Sequence, residues 1–269
     1  MKNKSTNFQG KIIWITGASS GIGRSLALQF FKLGARIVLS GRNREALHKV
    51  VREAQVTEDN YLILDFDLAT DFNAQEKAAS VVSKFGQIDY LFNNGGISQR
   101  SITAETSIAV DRRIFEINFF AADKLTKAVL PIMLNNGFGH IAATSSVVGK
   151  FGIPMRSAYA ASKHALHGYY DSLRAEMHGK GVYVSVIIAG RILTNISQNA
   201  VTKDGSKYNK LDDGQANGMT ADEAARRIIK GMAKRKPEIM FGGKELLMVY
   251  IRRYFPKLFY YMAPRVKPT

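Results

Sequence analysis

The chain contains no cysteine, which removes disulfides, thiolate metal sites and cysteine nucleophiles from consideration. That absence suits a reducing, cytoplasmic setting, although many exported proteins also lack cysteine. No uncharged apolar run reaches the roughly 18 residues of a membrane-spanning helix. Met1 to Gly10 is polar and has no apolar centre of signal-peptide length, so no export signal is expected. Acidic residues are scarce, 22 against 38 lysines and arginines, for a net charge of +16. Such an excess suits anionic ligands, an anionic membrane surface or nucleic acid, or is simply a solvated basic surface. No nucleic-acid reading element is recognisable, so no nucleic-acid partner is expected.

What is present is a globular chain of 269 residues, 46% hydrophobic, patterned as strands alternating with helices. Lys11 to Thr16 reads as a buried parallel strand closed by glycine. Gly21 to Leu33 reads as a helix with Ile22, Leu26, Phe30 and Leu33 on one face. Further strands are expected at Arg36–Ser40, Tyr61–Phe66, Ile88–Phe92, His140–Thr144, Val182–Ile188 and Glu238–Phe241. Helices are expected after Asn43, at Phe72–Phe85, from about Asp111 to Leu134, over roughly Arg156–His178, and from a Thr220 cap to Lys234. The pattern predicts a single α/β domain over residues 1–243, a doubly wound parallel sheet of Rossmann type with helices on both faces. Residues 191–219 are polar and too long for a connector, which suggests a substrate loop over a site. Residues 244–269 form a basic, aromatic tail.

Directly after the first strand stands Thr16-Gly17-Ala18-Ser19-Ser20-Gly21-Ile22-Gly23. Glycines there let the backbone turn sharply and approach a pyrophosphate, whose charge the following helix N-terminus favours. At the end of the second strand Ser40-Gly41-Arg42-Asn43-Arg44 offers no carboxylate. An acidic residue would accept from the ribose 2′-hydroxyl of NAD, whereas Arg42 can pair with the 2′-phosphate of NADP. Tyr159 and Lys163, four residues apart, fall on one helix face. A free phenol has a pKa of about 10, and a nearby ammonium favours its ionised form.

The glycine turn T-G-x-x-x-G-x-G and Tyr159-Ala160-Ala161-Ser162-Lys163 together resemble the short-chain dehydrogenase/reductase family over essentially Lys11 to Phe241. The resemblance implies that Gly17, Ser19, Ser20, Gly21, Ile22 and Gly23 contact NADP(H). It also implies that Asp67 and Leu68 meet the adenine, that Asn93 meets the adenosine ribose, and that Ile192 and Thr194 touch the nicotinamide side. Ser146, thirteen residues before Tyr159, takes the place of the serine that holds the substrate carbonyl, with Ser145 as the adjacent alternative. Asn118 takes the place of the asparagine that holds a water between Lys163 and solvent. Lys163 would also bind the nicotinamide ribose. No metal is implied. The expected activity is hydride transfer between NADP(H) and a carbonyl or secondary alcohol, with Tyr159 moving the proton. A non-catalytic dinucleotide sensor is the competing reading, and the presence of all four of Asn118, Ser146, Tyr159 and Lys163 counts against it.

Two motifs depart from the family. Asn93-Asn94-Gly95-Gly96 has glycine where alanine is usual, and Ala189-Gly190 lacks the usual proline, which is expected to loosen the loop that follows. Gly149-Lys150 and Pro154-Met155 resemble the hydroxysteroid-dehydrogenase-like branch, and Thr194 to Gly205 resembles its dehydrogenase/reductase member 7 group. By that analogy Phe151, Ile153 and Met155 wall a substrate site opposite Ile192, Leu193 and Ile196. A bulky apolar substrate such as a steroid, retinoid or lipid is expected. The family resemblance suggests a homodimer or homotetramer through the two long helices. The tail, with Arg252, Arg253 and Lys257 among aromatics, is open to two readings: peripheral contact with a membrane, or packing on its own domain or a partner subunit.

Overall fold

In the computed structural model, which describes residues 8–266, the apolar runs become strands and the amphipathic runs become the helices that cover them. In chain order these are β1 (Ile12–Thr16), α1 (Gly21–Lys32), β2 (Arg36–Gly41), α2 (Arg44–Ala54), β3 (Tyr61–Asp65), α3 (Ala74–Phe85) and β4 (Tyr90–Asn93). After them come α4 (Ile108–Phe115), a π turn (Glu116–Phe120), α5 (Ala121–Asn135), β5 (Gly139–Ser146), α6 (Ser157–Glu176) and β6 (Val182–Ala189). The C-terminal part holds β7 (Ile192–Leu193), α7 (Asp213–Ala216), β8 (Met219–Thr220), α8 (Ala221–Ala233), β9 (Glu238–Phe241), α9 (Leu247–Tyr254) and α10 (Pro256–Met262). The first seven residues, where no export signal is expected, and the last three of the tail lie outside the described residues.

Seven strands form one sheet in the order β3-β2-β1-β4-β5-β6-β9, and every neighbouring pair is parallel. Strand order reverses between β1 and β4, so the crevice beyond their carboxyl ends is where a doubly wound sheet holds a ligand. β1 is buried along its whole length, because helices cover both faces of the sheet. Two apolar clusters result. One gathers Trp14, Leu91, Ile141, Tyr170 and Val186 beneath α3, α5 and α6. The other gathers Ile13, Phe30, Leu39, Phe92 and Ile228 beneath α1, α2 and α8.

The caps follow the sequence. Asn43 accepts from the Ala46 amide at 2.9 Å, and Thr220 accepts from the Glu223 amide at 3.2 Å. α1 stops at Lys32, so Leu33, assigned by periodicity to its buried face, lies past the helix and is 43% exposed. The long helix expected from Asp111 starts earlier, at Ile108 behind a Ser107 cap. Its continuity is interrupted by the π turn, where the Ala121 amide reaches back to the Glu116 carbonyl. Such a turn shifts the helical register by one residue. Asn118, at its centre, is 2% exposed.

The tail packs against the sheet layer. Ile251 and Phe259 are buried in the first cluster, and the Phe259 ring stands 5.7 Å from that of Phe151. Among the described residues no helix is long and apolar enough to cross a membrane.

Candidate active site

The chain reverses after β1 through Gly17 and Gly21, whose φ values of 65° and 52° lie in the left-handed region. A β-carbon at Gly23 would stand 2.2 Å from the Gly17 carbonyl oxygen, so that position is closed to any side chain. One at Gly21 would meet Thr194 Cγ2 at 3.0 Å. The loop after β6 therefore lies directly over the glycine turn. Ser20 caps α1 in extended conformation without a side-chain cap bond, and the first turn holds no acidic residue. Its amides remain available to an anion, with the helix dipole behind them. This arrangement fits a dinucleotide pyrophosphate.

Thr16, overlooked in the sequence reading, joins β1 to β4. Its hydroxyl accepts from the Asn94 and Gly95 amides, both at 3.0 Å, and donates to the Phe92 carbonyl at 3.3 Å. Asn94, which follows Asn93 in the fourth-strand motif, donates to the Thr16 carbonyl at 3.1 Å. Gly95 has a local cause: a β-carbon there would lie 2.5 Å from Leu68 Cδ1. The departure from the family's alanine accommodates Leu68.

The residues expected around the adenosine lie along one edge, at the ends of β2, β3 and β4. Arg42 is open to solvent, its guanidinium 3.9 Å from the Asp67 carboxylate. Asp67 also accepts from the Ala69 amide at 2.9 Å. A β-carbon at Gly41 would sit 3.6 Å from Ser19 Oγ, which puts the glycine turn beside Arg42. The side chain of Asn93 turns inward. Its buried amide nitrogen donates inward to Tyr170 Oη at 2.8 Å, Thr126 Oγ1 at 3.1 Å and the Ala122 carbonyl at 3.3 Å. With the amide held in the helix layer, the main chain of Asn93 is what the crevice can use.

β5 and α6 carry the serine, tyrosine and lysine expected to react. Side chains alternate along a strand, and here the alternation separates two adjacent serines. Ser145 is buried against α6, donating to the Lys163 carbonyl at 3.2 Å and meeting His167 Nε2 at 3.1 Å. Ser146 instead lines the cavity together with Tyr159, its hydroxyl accepting from the Val148 amide at 3.4 Å. The first turn of α6 is fixed by Gln99, whose side-chain oxygen accepts from the amides of Ala158 at 2.9 Å and Tyr159 at 3.2 Å. Lys163 is buried and donates to the Thr144 carbonyl at 2.7 Å. Asn118 Oδ1 accepts from the Ile97 amide at 2.9 Å, and Nδ2 donates to the Ile97 carbonyl and Ser162 Oγ, both at 3.0 Å. A β-carbon at Gly96 would stand 3.0 Å from Asn118 Oδ1 and 3.4 Å from Lys163 Nζ. Gly96 thus keeps open the gap between them.

Burial sets the proton affinities. It pushes the Tyr159 phenol above its ordinary value, against the neighbouring Ser146 hydroxyl and the charges of Arg156 and Arg100. The sequence reading assigns the stabilising cation to Lys163, whose Nζ is 5.8 Å from the Tyr159 ring centre. Burial lowers Lys163 itself to about 8.

These groups open into a cavity of about 420 Å³. Ile22, Asn94, Thr194, Tyr159 and Lys163 line its cofactor side, and Phe151, Ile153, Ile192, Ile196 and Met248 supply apolar wall. Two expected wall residues are corrected. Met155 adopts a left-handed φ of 62°, and Arg156, immediately after it, lines the cavity in its place. Leu193 is 44% exposed, its neighbour Ile192 being the buried member of β7. A polar corner was not anticipated. Buried Arg100 and Arg156 both pair with Asp212, at 3.3 Å from Arg100 Nε to Oδ1 and 3.3 Å from Arg156 Nη2 to Oδ2. Desolvation lowers Arg156 to about 9. No periodicity marks a charged residue for burial, so only the three-dimensional contacts reveal this group.

The loop after β6 is also less free than the missing proline suggests. The Glu245 carboxylate accepts from the amides of Arg191 at 2.7 Å and Gly243 at 3.0 Å. A β-carbon at Gly190 would lie 2.1 Å from the same Glu245 oxygen. The tail therefore clamps the loop where proline would have stiffened it.

Comparison with known proteins agrees with this geometry. Residues 11–205 match the family model described as short chain dehydrogenase. The chain is 43% identical over 264 residues to Dehydrogenase/reductase SDR family member 7B of Rattus norvegicus, covering 95% of this chain and 81% of the relative. It is 41% identical over 261 residues to Dehydrogenase/reductase SDR family protein 7-like of Drosophila melanogaster, covering 95% and 80%. Its fold is similar to a short chain dehydrogenase/reductase from Burkholderia phymatum in complex with NAD, with a TM-score of 0.83, 24% identity and 98% of each chain covered. A short-chain dehydrogenase from Streptomyces avermitilis gives 0.80 at 25% identity, covering 94% of this chain and 96% of that one. The chain belongs to the short-chain dehydrogenase/reductase family and is similar, within it, to the member 7 group.

Proposed function

We propose that the chain is an NADP(H)-dependent oxidoreductase that interconverts a carbonyl and a secondary alcohol on a bulky, largely apolar substrate. The observation that carries this reading is that Ser146, Tyr159 and Lys163 all line one cavity. Two hydroxyls converge there on the space a substrate oxygen would occupy. When bound, NADP(H) supplies the hydride.

The chain's own residues do the rest. Ser146 donates to the substrate oxygen and Tyr159 delivers its proton to that oxygen in reduction. In oxidation Tyr159 takes the proton back. Lys163 has three donors, of which the Thr144 carbonyl uses one, leaving capacity for ribose hydroxyls. Asn118, its amide fixed at both ends, sits across the Gly96 gap as the relay from Lys163 toward solvent. The amides after Gly17 hold the pyrophosphate, and Ile192 and Thr194 cover the nicotinamide side. Arg42 holds the 2′-phosphate, its loose contact with Asp67 leaving the guanidinium free to turn. The apolar wall favours a steroid, retinoid or lipid-like body. Ile108 and Phe120, 66% and 45% exposed on α4 and the π turn, support self-association as a dimer or tetramer, which sedimentation equilibrium measures.

A panel of steroid, retinoid and lipid ketones and the matching alcohols, followed by nicotinamide absorbance with NADPH and NADH side by side, tests the proposal. Turnover with NADPH on at least one bulky member is expected. Equal rates with NADH would remove the cofactor preference, and turnover confined to small polar carbonyls would remove the substrate class.

A further inference from the structure

The surface of the tail is unlike the rest of the molecule. Seven of the fourteen large hydrophobic side chains exposed among the described residues fall between Leu247 and Tyr261, including Tyr254 at 68% and Phe255 at 63%. Isolated exposed apolar residues are ordinary, but a concentrated patch marks a contact. Its orientation is fixed from beneath, where Ile251 and Phe259 are buried and Met248 and Val266 line the cavity.

Charge distinguishes the occupants. From Leu246 to Val266 the chain carries Arg252, Arg253, Lys257 and Arg265 and no acidic residue. The cations are interleaved with the rings: Arg252 lies 5.3 Å from the Tyr260 ring centre, and Arg265 lies 3.9 Å from that of Tyr261. Apposing two such faces in a second copy would bring like charges together in a chain whose net charge is already +16. An anionic lipid surface instead supplies the counter-charge, and its interfacial zone is where tyrosine and arginine are accommodated together.

We propose that α9 and α10 form an interfacial anchor that seats the protein on an anionic bilayer, with the exposed aromatics in the headgroup region. The anchor lies alongside the cavity, since Met248 contributes to its wall from the opposite side of α9. Docking is independent of the proposed activity and is tested without turnover.

The full chain is mixed with phosphatidylcholine vesicles, with and without phosphatidylserine, and recovered by flotation. Partitioning is expected to be at least about tenfold stronger on the anionic vesicles and to fall with salt, because each cation near such a surface contributes roughly fivefold. The variants Tyr254→Ser/Phe255→Ser and Arg253→Glu/Lys257→Glu each lose about tenfold or more, with unchanged melting temperature and unchanged size on gel filtration. Equal recovery on the two vesicle types overturns the proposal, and that comparison stands even if a variant fails to fold. A change of size in either variant also overturns it, because the face would then belong to a second copy.

Discussion

Glu245, at the start of the tail, accepts a hydrogen bond from the Arg191 amide at 2.7 Å, so the segment beyond the sheet fixes the loop that lies over the glycine turn. Burial would raise this carboxylate, but bonds from the Gly243 and Arg191 amides hold it below its ordinary value. The clamp is therefore complete above the usual carboxylate range and is lost as pH falls through the lowered value. Glu245→Ala is expected to raise KM for NADPH by roughly tenfold, the loss of about one charge-assisted bond, with a smaller effect on kcat. Glu245→Gln, which keeps one acceptor, is expected to recover part of the affinity. Steady-state kinetics on the two variants check this.

Tyr159→Phe removes the proposed proton donor while retaining the ring. Turnover is expected to fall by about 10²–10⁴ or more, with NADPH binding by fluorescence titration within about twofold of the parent. Retained turnover would show that another group moves the proton.

Lys163, lowered to about 8 by burial, loses its charge on the basic side before Tyr159, which burial holds above its ordinary value. In the proposed reduction the protonated forms of both groups are the working ones. kcat/KM for NADPH is expected to decline above about pH 8, since that parameter reports the free enzyme. In Lys163→Met the rate is lower throughout and this decline is absent. A pH profile from 6 to 10 on both proteins distinguishes Lys163 from other basic groups.

In the proposed reading Arg42 bears on cofactor choice. A charge-assisted contact contributes about 1.5–3 kcal/mol, so Arg42→Ala is expected to weaken NADPH by roughly tenfold to a hundredfold and to leave NADH within about twofold. Competitive binding of the two cofactors reads the difference directly.

His140 sets an acid limit on stability. It is enclosed by Tyr90 and Tyr183 and bonded to Ser185 Oγ at 2.8 Å. Burial, aided by the charge of Arg235, depresses its pKa from 6.5 to about 3. Between those values the unfolded chain binds a proton that the folded chain refuses, so stability falls as pH drops below about 6.5. The loss from this group is roughly 2 kcal/mol by about pH 5. Urea titrations at several pH values are expected to show a shallower acid slope for His140→Gln.

Much of this was legible in the sequence because the relevant signals are local. The sheet was readable from apolar runs closed by glycine, and the alignment of Tyr159 with Lys163 from helical spacing. The misreadings share a cause, which is that spacing cannot report which neighbour a side chain meets. Spacing alone does not show that Tyr170 and Thr126 take the side-chain amide of Asn93 and leave only its main chain to the crevice. Met155 reads as cavity wall until its left-handed backbone brings Arg156 there. The missing proline after β6 predicts slack, but the compensating carboxylate lies 54 residues away. Arg100, Arg156 and Asp212 are invisible for the same reason, since charged residues carry no pattern that announces burial.

Asp212 belongs to the loop after β6, whereas its two arginine partners precede that loop, beside β4 and at the start of α6. With the loop down, these three groups carry a net charge of +1; with it lifted, two guanidinium groups face each other without the carboxylate. Loop position and cavity electrostatics are therefore a single variable. The loop thus supplies the one carboxylate that offsets two buried guanidinium groups in this corner of the cavity.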